Sequence, residues 1–504
     1  MTYAFGVYRA TPAGIMAAIT AARLGMRSVI IEPSPYIGGM MTSGLNATDT
    51  VDKRIITGVA KEFFLRAQQH YGLNYMPVRI ESCIAQRIFS AMLDEAGVEI
   101  LLEQDVVAVK RDDTKVSRAQ LTDGRVIEAS WWVDASYEGD LMAEAGISYS
   151  LGREAQSEYN EEWAGVQAAK KFLPWKGGVK IPPKVDGVLR PYISPPTLSP
   201  IGAADGNVQS YCIRATLTPD LTNRVAIKAP EDFDFGQFDL FRQLASNLTK
   251  GSIRSAWHKG LGMTLKSGYF NLAEIPNGKF DMNSGPLAPI NSPALTRGWV
   301  EASKQKRAEM TSEFIRYTTA VLYFIQNDAA VPGAIRSFFS DFGLPRDEYE
   351  NSGHMPPHVY VREGRRLRGD QVFTQNHVEG GGVSNEEAIC QAKYHLDCKP
   401  VAWKANRDGS NIVREGMFFS TIPYRYNLPA WIILPKRTEA SNFFSVCGVS
   451  TSHVAFGSIR MEPTWMEFGS SAAMMAYLAD QQQVKVHDIR AVQITDLRKE
   501  RFDP

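Results

Sequence analysis

The sequence predicts an α/β fold, a parallel sheet covered by helices, and three stretches predict it. Residues 5–32 run as a strand, a tight turn, a helix and a second strand ending in an acid: Phe5-Gly6-Val7-Tyr8, then Arg9-Ala10-Thr11-Pro12-Ala13-Gly14, then Val29-Ile30-Ile31-Glu32. Ser130-Trp131-Trp132-Val133-Asp134-Ala135-Ser136 is a second apolar run, and Asn442-Phe443-Phe444-Ser445-Val446-Cys447-Gly448-Val449 a third, with a helix of small residues after it. Strands buried on both faces read as continuous apolar runs, the pattern of parallel sheets.

The opening has dinucleotide-binding spacing. In a G-x-G-x-x-G turn the first glycine makes the bend, the second lets backbone approach a pyrophosphate, and the third lets helix pack closely on strand. Here Arg9, Thr11 and Gly14 hold those places, so only the third glycine is intact. Gly14, Ile15, Ala18, Ile19 and Ala22 recur at helical spacing, and Gly25 is a natural stop. Glu32 stands at the tip of the second strand, where a carboxylate accepts ribose hydroxyls. A βαβ crossover that merely exposes a glutamate is the alternative.

After the acid, Pro33-Ser34-Pro35-Tyr36-Ile37-Gly38-Gly39-Met40-Met41-Thr42-Ser43-Gly44 places a glycine pair where backbone passes close to a dinucleotide. With this loop the chain resembles FAD-dependent oxidoreductases of the glutathione-reductase-like fold, and Ala10-Thr11-Pro12-Ala13-Gly14 resembles the "GTPAG" form of a bacterial family described as FAD-dependent oxidoreductases. In that form threonine is usual at the second glycine; Arg9 departs even from the family. The resemblance implies FAD as cofactor, with Arg9, Thr11, Pro12, Ala13, Gly14, Glu32, Gly38, Gly39, Met40 and Thr42 around it.

Residues 57–70 and 83–96 predict amphipathic helices, and 98–102 and 105–109 strands. Residues 120–127 predict a hairpin around Asp123-Gly124. In the resemblance, backbone near Val107 holds the adenine. Ser130 to Leu141 matches the family's D-A-[ST]-Y-E-G-D-L segment, which implies Ala135 and Ser136 near the pyrophosphate. Glu138 and Asp140 suit the N-terminus of a helix beginning at Leu141, and capping weighs above catalysis for them. Gly152-Arg153-Glu154 and Tyr159-Asn160-Glu161-Glu162 also resemble family patterns.

From about 170 to 350 the signals loosen. Prolines mark loops, Tyr211-Cys212-Ile213-Arg214-Ala215-Thr216-Leu217 alternates like a strand, and 300–327 has helical character. The end resembles the family's "S-A-T-H-V-A … S-I-R-M-E-P … G-Q-A-A-G-T-A-A", which implies Arg460, Glu462 and Gly469 at the cofactor. Ser470 and Ala473 depart from that pattern, Ala473 standing for a second glycine at a helix N-terminus expected to face the flavin. The expected architecture is a Rossmann-like FAD-binding domain of the glutathione-reductase type, residues 1–165 and 416–504, with an inserted β-rich α+β substrate domain over 166–415.

Flavin oxidation of a C–H bond needs a base for the departing proton. His453, inside the terminal motif, is the first candidate, with a structural hydrogen bond as its alternative. His395 is base, substrate anchor or loop residue. Arg365, in Arg362-Glu363-Gly364-Arg365-Arg366-Leu367-Arg368-Gly369, holds a substrate anion or sits on a solvated strand. Tyr424 lines the pocket or fills core. His354 and His358 lack a close third ligand, so no metal is expected.

Composition excludes much. Lys+Arg and Asp+Glu balance at 55 each, so no global field points to nucleic acid or an anionic membrane surface. Five cysteines with no C-x-x-C pair argue against a disulfide framework, zinc site or dithiol centre. No apolar run approaches a membrane span and no export signal precedes the first strand, which makes the cytoplasm the expected location. The expected partner is a small polar substrate, a sugar, polyol or hydroxy acid oxidised by hydride transfer to flavin N5, and a homo-oligomer is allowed. Two alternatives stand: a flavoprotein relic or binding module with weakened FAD affinity, and a flavin monooxygenase.

Overall fold

Strand by strand, the first part runs β1 (Thr2–Tyr8), α1 (Pro12–Arg23), β2 (Ser28–Glu32), α2 (Gly58–His70), α3 (Ser82–Ala96), β3 (Glu99–Leu102), β4 (Val106–Asp112), β5 (Lys115–Leu121), β6 (Val126–Asp134) and α4 (Asp140–Glu144). These come from a computed structural model that describes residues 1–50, 52–171, 180–196, 199–246, 254–258, 262–266, 270–285 and 289–503. β1 lies between β2 and β6, parallel to both, and β2 pairs in parallel with β3. β5 and β4 extend the sheet antiparallel from β6, in the order β3-β2-β1-β6-β5-β4.

The hairpin over 120–127 and the buried strand over 130–136 prove to share one nine-residue strand, β6. Its first residues pair with β5, Gln120 opposite Val126, and its last ones pair on the same edge with a strand from the far end of the chain, Phe443 opposite Trp132. Nothing between Ile127 and Ser130 breaks a strand, so the two expectations merge.

The middle of the chain adds β7 (Thr216–Leu217), β8 (Arg254–His258), β9 (Gly262–Lys266), β10 (Phe270–Ile275), β11 (Lys279–Ser284) and the long helix α5 (Lys304–Asn327). Its strands form an antiparallel sheet in the order β7-β11-β10-β9-β8. A second hydrophobic core gathers here, with Leu272, Met282, Phe314, Tyr317 and Phe324 buried. The strand expected over Tyr211 to Leu217 is shorter: Tyr211 and Cys212 make only isolated bridges, to Ser292 and Tyr360.

The chain then returns as β12 (Phe443–Ser445), α6 (His453–Ile459) and α7 (Glu462–Gln482). α7 begins at Glu462, with Pro463 in its first turn, rather than near Phe468. Gly469 therefore lies inside the helix, where a Cβ would stand 2.0 Å from the Ala13 carbonyl oxygen. The missing side chain lets α7 cross α1 backbone to backbone, and Ser470 and Ala473 are buried in the same helix. Among the described residues no helix is long and apolar enough to cross a membrane.

Candidate functional site

Ligands of open parallel sheets bind beyond the carboxyl ends of the strands. At the tips of β1 and β2 a cavity of ≈ 350 Å³ opens, walled on this side by Arg9, Thr11, Glu32, Ser34, Gly39 and Asp105. Thr11 caps α1: its hydroxyl accepts from Gly14 N at 3.2 Å and donates to the Ala135 carbonyl at 2.8 Å. Thr11 thereby sets the N-terminal end of α1 beside the cavity, and the electropositive end of a helix suits phosphate. Gly14 is obligatory, since a Cβ there would stand 2.2 Å from the Arg9 carbonyl oxygen.

Arg9 takes φ +79°, the left-handed conformation a glycine adopts freely. Its Nη1 lies 3.2 Å from Glu32 Oε1, which also accepts from Ser34 N at 2.8 Å, while Oε2 accepts from Ala10 N at 2.9 Å. A carboxylate offers about four acceptor positions, and these bonds use three.

The opposite wall comes from the distant middle of the chain: Trp299, Lys304, Arg307, His358, Val359 and Val361. Three polar contacts tie it to the sheet side. Lys304 Nζ lies 2.6 Å from Asp105 Oδ2 and donates to the Val106 carbonyl at 2.7 Å. Arg307 forks onto Asp140 at 2.5 and 2.9 Å, and Trp299 Nε1 donates to Glu138 Oε1 at 3.1 Å. Burial lowers the His358 pKa, so its ring is neutral, with Nδ1 3.3 Å from Ser43 Oγ.

Tyr137 also lines the cavity. Its hydroxyl accepts from Met40 N at 3.0 Å and donates to Glu462 Oε1 at 2.6 Å. Burial pushes the Glu462 carboxyl up to about 8 against the opposing Tyr137 bond, so it is neutral at pH 7.

The model of the family described as FAD dependent oxidoreductase matches residues 6–500. The chain belongs to this family. It is therefore an oxidoreductase that uses FAD. Among solved structures it is similar to THI4 of Thermovibrio ammonificans (21% identity over 30% of this chain and 66% of that one, TM-score 0.23). It is also similar to the anhydrotetracycline hydroxylase OxyS of Streptomyces rimosus (14%, 31% and 36%, TM-score 0.23) and to a flavoprotein/dehydrogenase of Cytophaga hutchinsonii (16%, 30% and 43%, TM-score 0.23). The chain thus spans from about a third to two thirds of those proteins' lengths. No curated protein matches it.

The lining groups fit the chemistry of FAD: a carboxylate, Glu32, suited to ribose hydroxyls, and the cations Lys304 and Arg307, suited to phosphate charge. Of the cofactor residues expected from sequence, Arg9, Thr11, Glu32 and Gly39 line it. Pro12, Ala13, Gly14, Gly38, Met40 and Thr42 support it from behind: Gly38 N donates to the Ala10 carbonyl, and Thr42 Oγ1 to the Ile37 carbonyl at 2.5 Å. Ala135 and Ser136 are buried under the loop, Ser136 holding Asp134 at 2.6 Å. Val107 falls at an irregularity in the β4–β5 register with its side chain exposed.

Several expectations are corrected. Asp134 and Ser136, accepting from Met142 N and Asp140 N, cap α4, while Glu138 and Asp140 turn to Trp299, Arg307 and Arg365. His453 lies away from the cavity, its Nδ1 2.8 Å from Glu363 Oε1 and its Nε2 3.7 Å from Cys398 Sγ. With both nitrogens engaged and the ring 1% exposed, it has no access to a substrate at the cavity. His395 Nδ1 accepts from Ile422 N at 3.2 Å, which anchors a turn. Tyr424 is 41% exposed and donates to the Glu379 carbonyl. Arg365 fixes the loop behind the cavity through Asp140 at 2.9 Å. Arg460 reaches Asp397 and Tyr360 instead of the cavity, and Gly469 serves the α1–α7 crossing.

The lining residues missed by sequence reasoning include Lys304, Arg307, Trp299 and Asp105, and His358 was weighed there only as half of a metal pair. No motif marks them. Glu81, Cys83 and Glu348 form a metal-like cluster, but the Lys279 ammonium sits on both carboxylates at 2.7 and 2.9 Å and supplies the cation.

Proposed function

We propose that this enzyme oxidises a small polar substrate, a sugar, polyol or hydroxy acid, by two electrons, with hydride passing to flavin N5. We place the cofactor in a glutathione-reductase-type domain built from residues 1–165 and 416–504, with 166–415 as the substrate domain. The observation that carries the reading is the cavity itself, which joins a ribose acid, Glu32, to a neutral buried acid, Glu462, through Tyr137. Bound FAD supplies a two-electron acceptor.

The chain's own residues supply the rest. Glu32 would hold a ribose hydroxyl at its remaining acceptor position, and release of Arg9 from Glu32 would free a second one. Lys304, Arg307 and Trp299 hold the far wall against the sheet side through Asp105, Asp140 and Glu138. Tyr137 and Glu462 hold a proton at the wall: the neutral Glu462 can donate back to Tyr137 Oη, whose own O–H then turns into the cavity.

The test is anaerobic addition of sugars, polyols and hydroxy acids to the FAD-loaded protein, reading loss of the oxidised flavin absorbance. Bleaching by a member of these classes is expected. Protein that shows no flavin absorbance and takes up no added FAD would end this reading, and substrate-dependent NAD(P)H consumption in air would replace it with monooxygenation.

A further inference from the structure

Beside the antiparallel strand pair Ala402–Ala405 and Ile412–Glu415, where Lys404 stands opposite Val413, a second cavity of ≈ 250 Å³ opens. None of its described lining residues belongs to the cavity at the strand tips. Val166, Pro196, Ile201, Ala405 and Val413 make apolar walls, and Lys404 and Arg407 bring positive charge. Pro196, Ser199, Ile201 and Arg407 are exposed, so the cavity opens to solvent on their side.

Lys404 is the unusual wall residue. Strand alternation sends Trp403 into the second hydrophobic core and Lys404 to the opposite face. Lys404 is only 6% exposed, yet among the described residues its Nζ makes no hydrogen bond, and the nearest carboxylate oxygen, Glu415 Oε2, lies 3.9 Å away. Glu415 is engaged elsewhere: Oε1 accepts from Arg153 Nη1 at 2.7 Å and from Gln167 N at 2.6 Å, and Oε2 from Arg153 Nη2 at 3.2 Å. Asp205 forks onto the same Arg153 at 2.9 and 2.5 Å. Arg407 has no ion-pair partner among the described residues, and Asp408 beside it turns to Ser410 N at 2.8 Å. Three cations, Arg153, Lys404 and Arg407, therefore share two carboxylates. Burial, with Arg153 and Arg407 adding to it, lowers the Lys404 pKa although Glu415 and Asp205 oppose the shift. A buried ammonium with an incomplete set of acceptors is costly, and an anion in the cavity would complete the set.

We propose that this cavity is a second small-molecule site, separate from the FAD cavity, and that it binds a monocarboxylate with a compact apolar body. The carboxylate lies between Lys404 and Arg407, and the apolar body lies against Val166, Ile201 and Val413. A neutral molecule of the same shape fills the same walls but leaves the Lys404 ammonium without an acceptor, which sets the preference for the anion. The proposal does not depend on the oxidation proposed above.

Benzoate and benzamide test the idea, because they share size and shape and differ in charge. Each is titrated calorimetrically into the purified protein at matched ionic strength, with the flavin spectrum recorded in the same samples. Benzoate is expected to bind about tenfold more tightly than benzamide and to leave the flavin spectrum unchanged. Lys404→Met should erase that preference while keeping the weak benzamide binding, and Arg407→Gln, at an exposed position, should weaken benzoate several-fold. If Lys404→Met does not fold, Arg407→Gln decides. Equal affinities for the two compounds, or no binding of either, overturn the proposal. So does benzoate binding that shifts the flavin spectrum and ignores both substitutions, since the anion then sits at the FAD cavity.

Discussion

Two charged regions of this molecule use the same residue types to opposite ends. At the cavity wall Arg9 pairs with Glu32 and Lys304 with Asp105, yet these groups border open volume. In the sealed network Glu154 pairs with Arg366 at 2.6 Å, Arg366 with Glu363, and Glu363 with His453, every member buried. Burial alone would push the His453 pKa down, but the Glu363 carboxylate overrides it and holds it at about 10, so the imidazole is charged. A perturbed histidine beside a carboxylate looks catalytic. What separates the two regions is access: the sealed group has its partners on every side, and the wall groups have a free direction.

The largest expected effect would break that contrast from the sealed side. His453→Ala leaves buried charge uncompensated and is expected to cost about 3–5 kcal/mol of stability in denaturant unfolding, with FAD affinity of the folded protein little changed. A loss below about 1 kcal/mol would mean that the network is not a structural unit.

Next comes Glu462, behind the wall. Its folded pKa of about 8 lies above the ordinary carboxyl value, so its contribution to stability is fully present below about pH 4.5 and is lost as pH rises through 8. Glu462→Gln should remove that slope, on the order of a few kcal/mol between pH 5 and 8, when unfolding free energies of variant and parent are compared. Parallel pH profiles would show that Glu462 is ionised in the fold.

The smallest effect belongs to Arg9. Arg9→Gly relieves left-handed strain of about 1 kcal/mol and loses a partly exposed ion pair, so stability should change by no more than about 1 kcal/mol. FAD affinity should rise several-fold as Glu32 is freed, measured by quenching of flavin fluorescence. Weaker binding would instead assign the guanidinium to the phosphates.

Much of the nucleotide-binding half was legible because its signals are local. Helix α1, the tips of β1 and β2 and Gly14 as a close contact follow from spacing within some thirty residues, whereas Thr11 as cap came only with the structure. The end of the chain was legible as a strand and helix but not in its register. Pro463 marks the true start of α7, and Gly469, taken for a cofactor contact, instead meets Ala13. A glycine in an apolar helix gives the same signal whether ligand or backbone approaches it. Lys304 and Arg307 were invisible because the carboxylates they meet, Asp105 and Asp140, lie more than 150 residues away in the chain.

The sequence by itself determined the parallel sheet and the βαβ opening, because strand burial and glycine contacts act between near neighbours, and its resemblance to a family supplied the cofactor class. Only the tertiary structure decided which charged groups work at the cavity and which are locked in the core. Charge and pKa depend on what packs around a side chain. Here His453, Glu363 and Glu154 come from three distant segments, as do Glu32, Asp105 and Lys304, and no local pattern tells one set from the other.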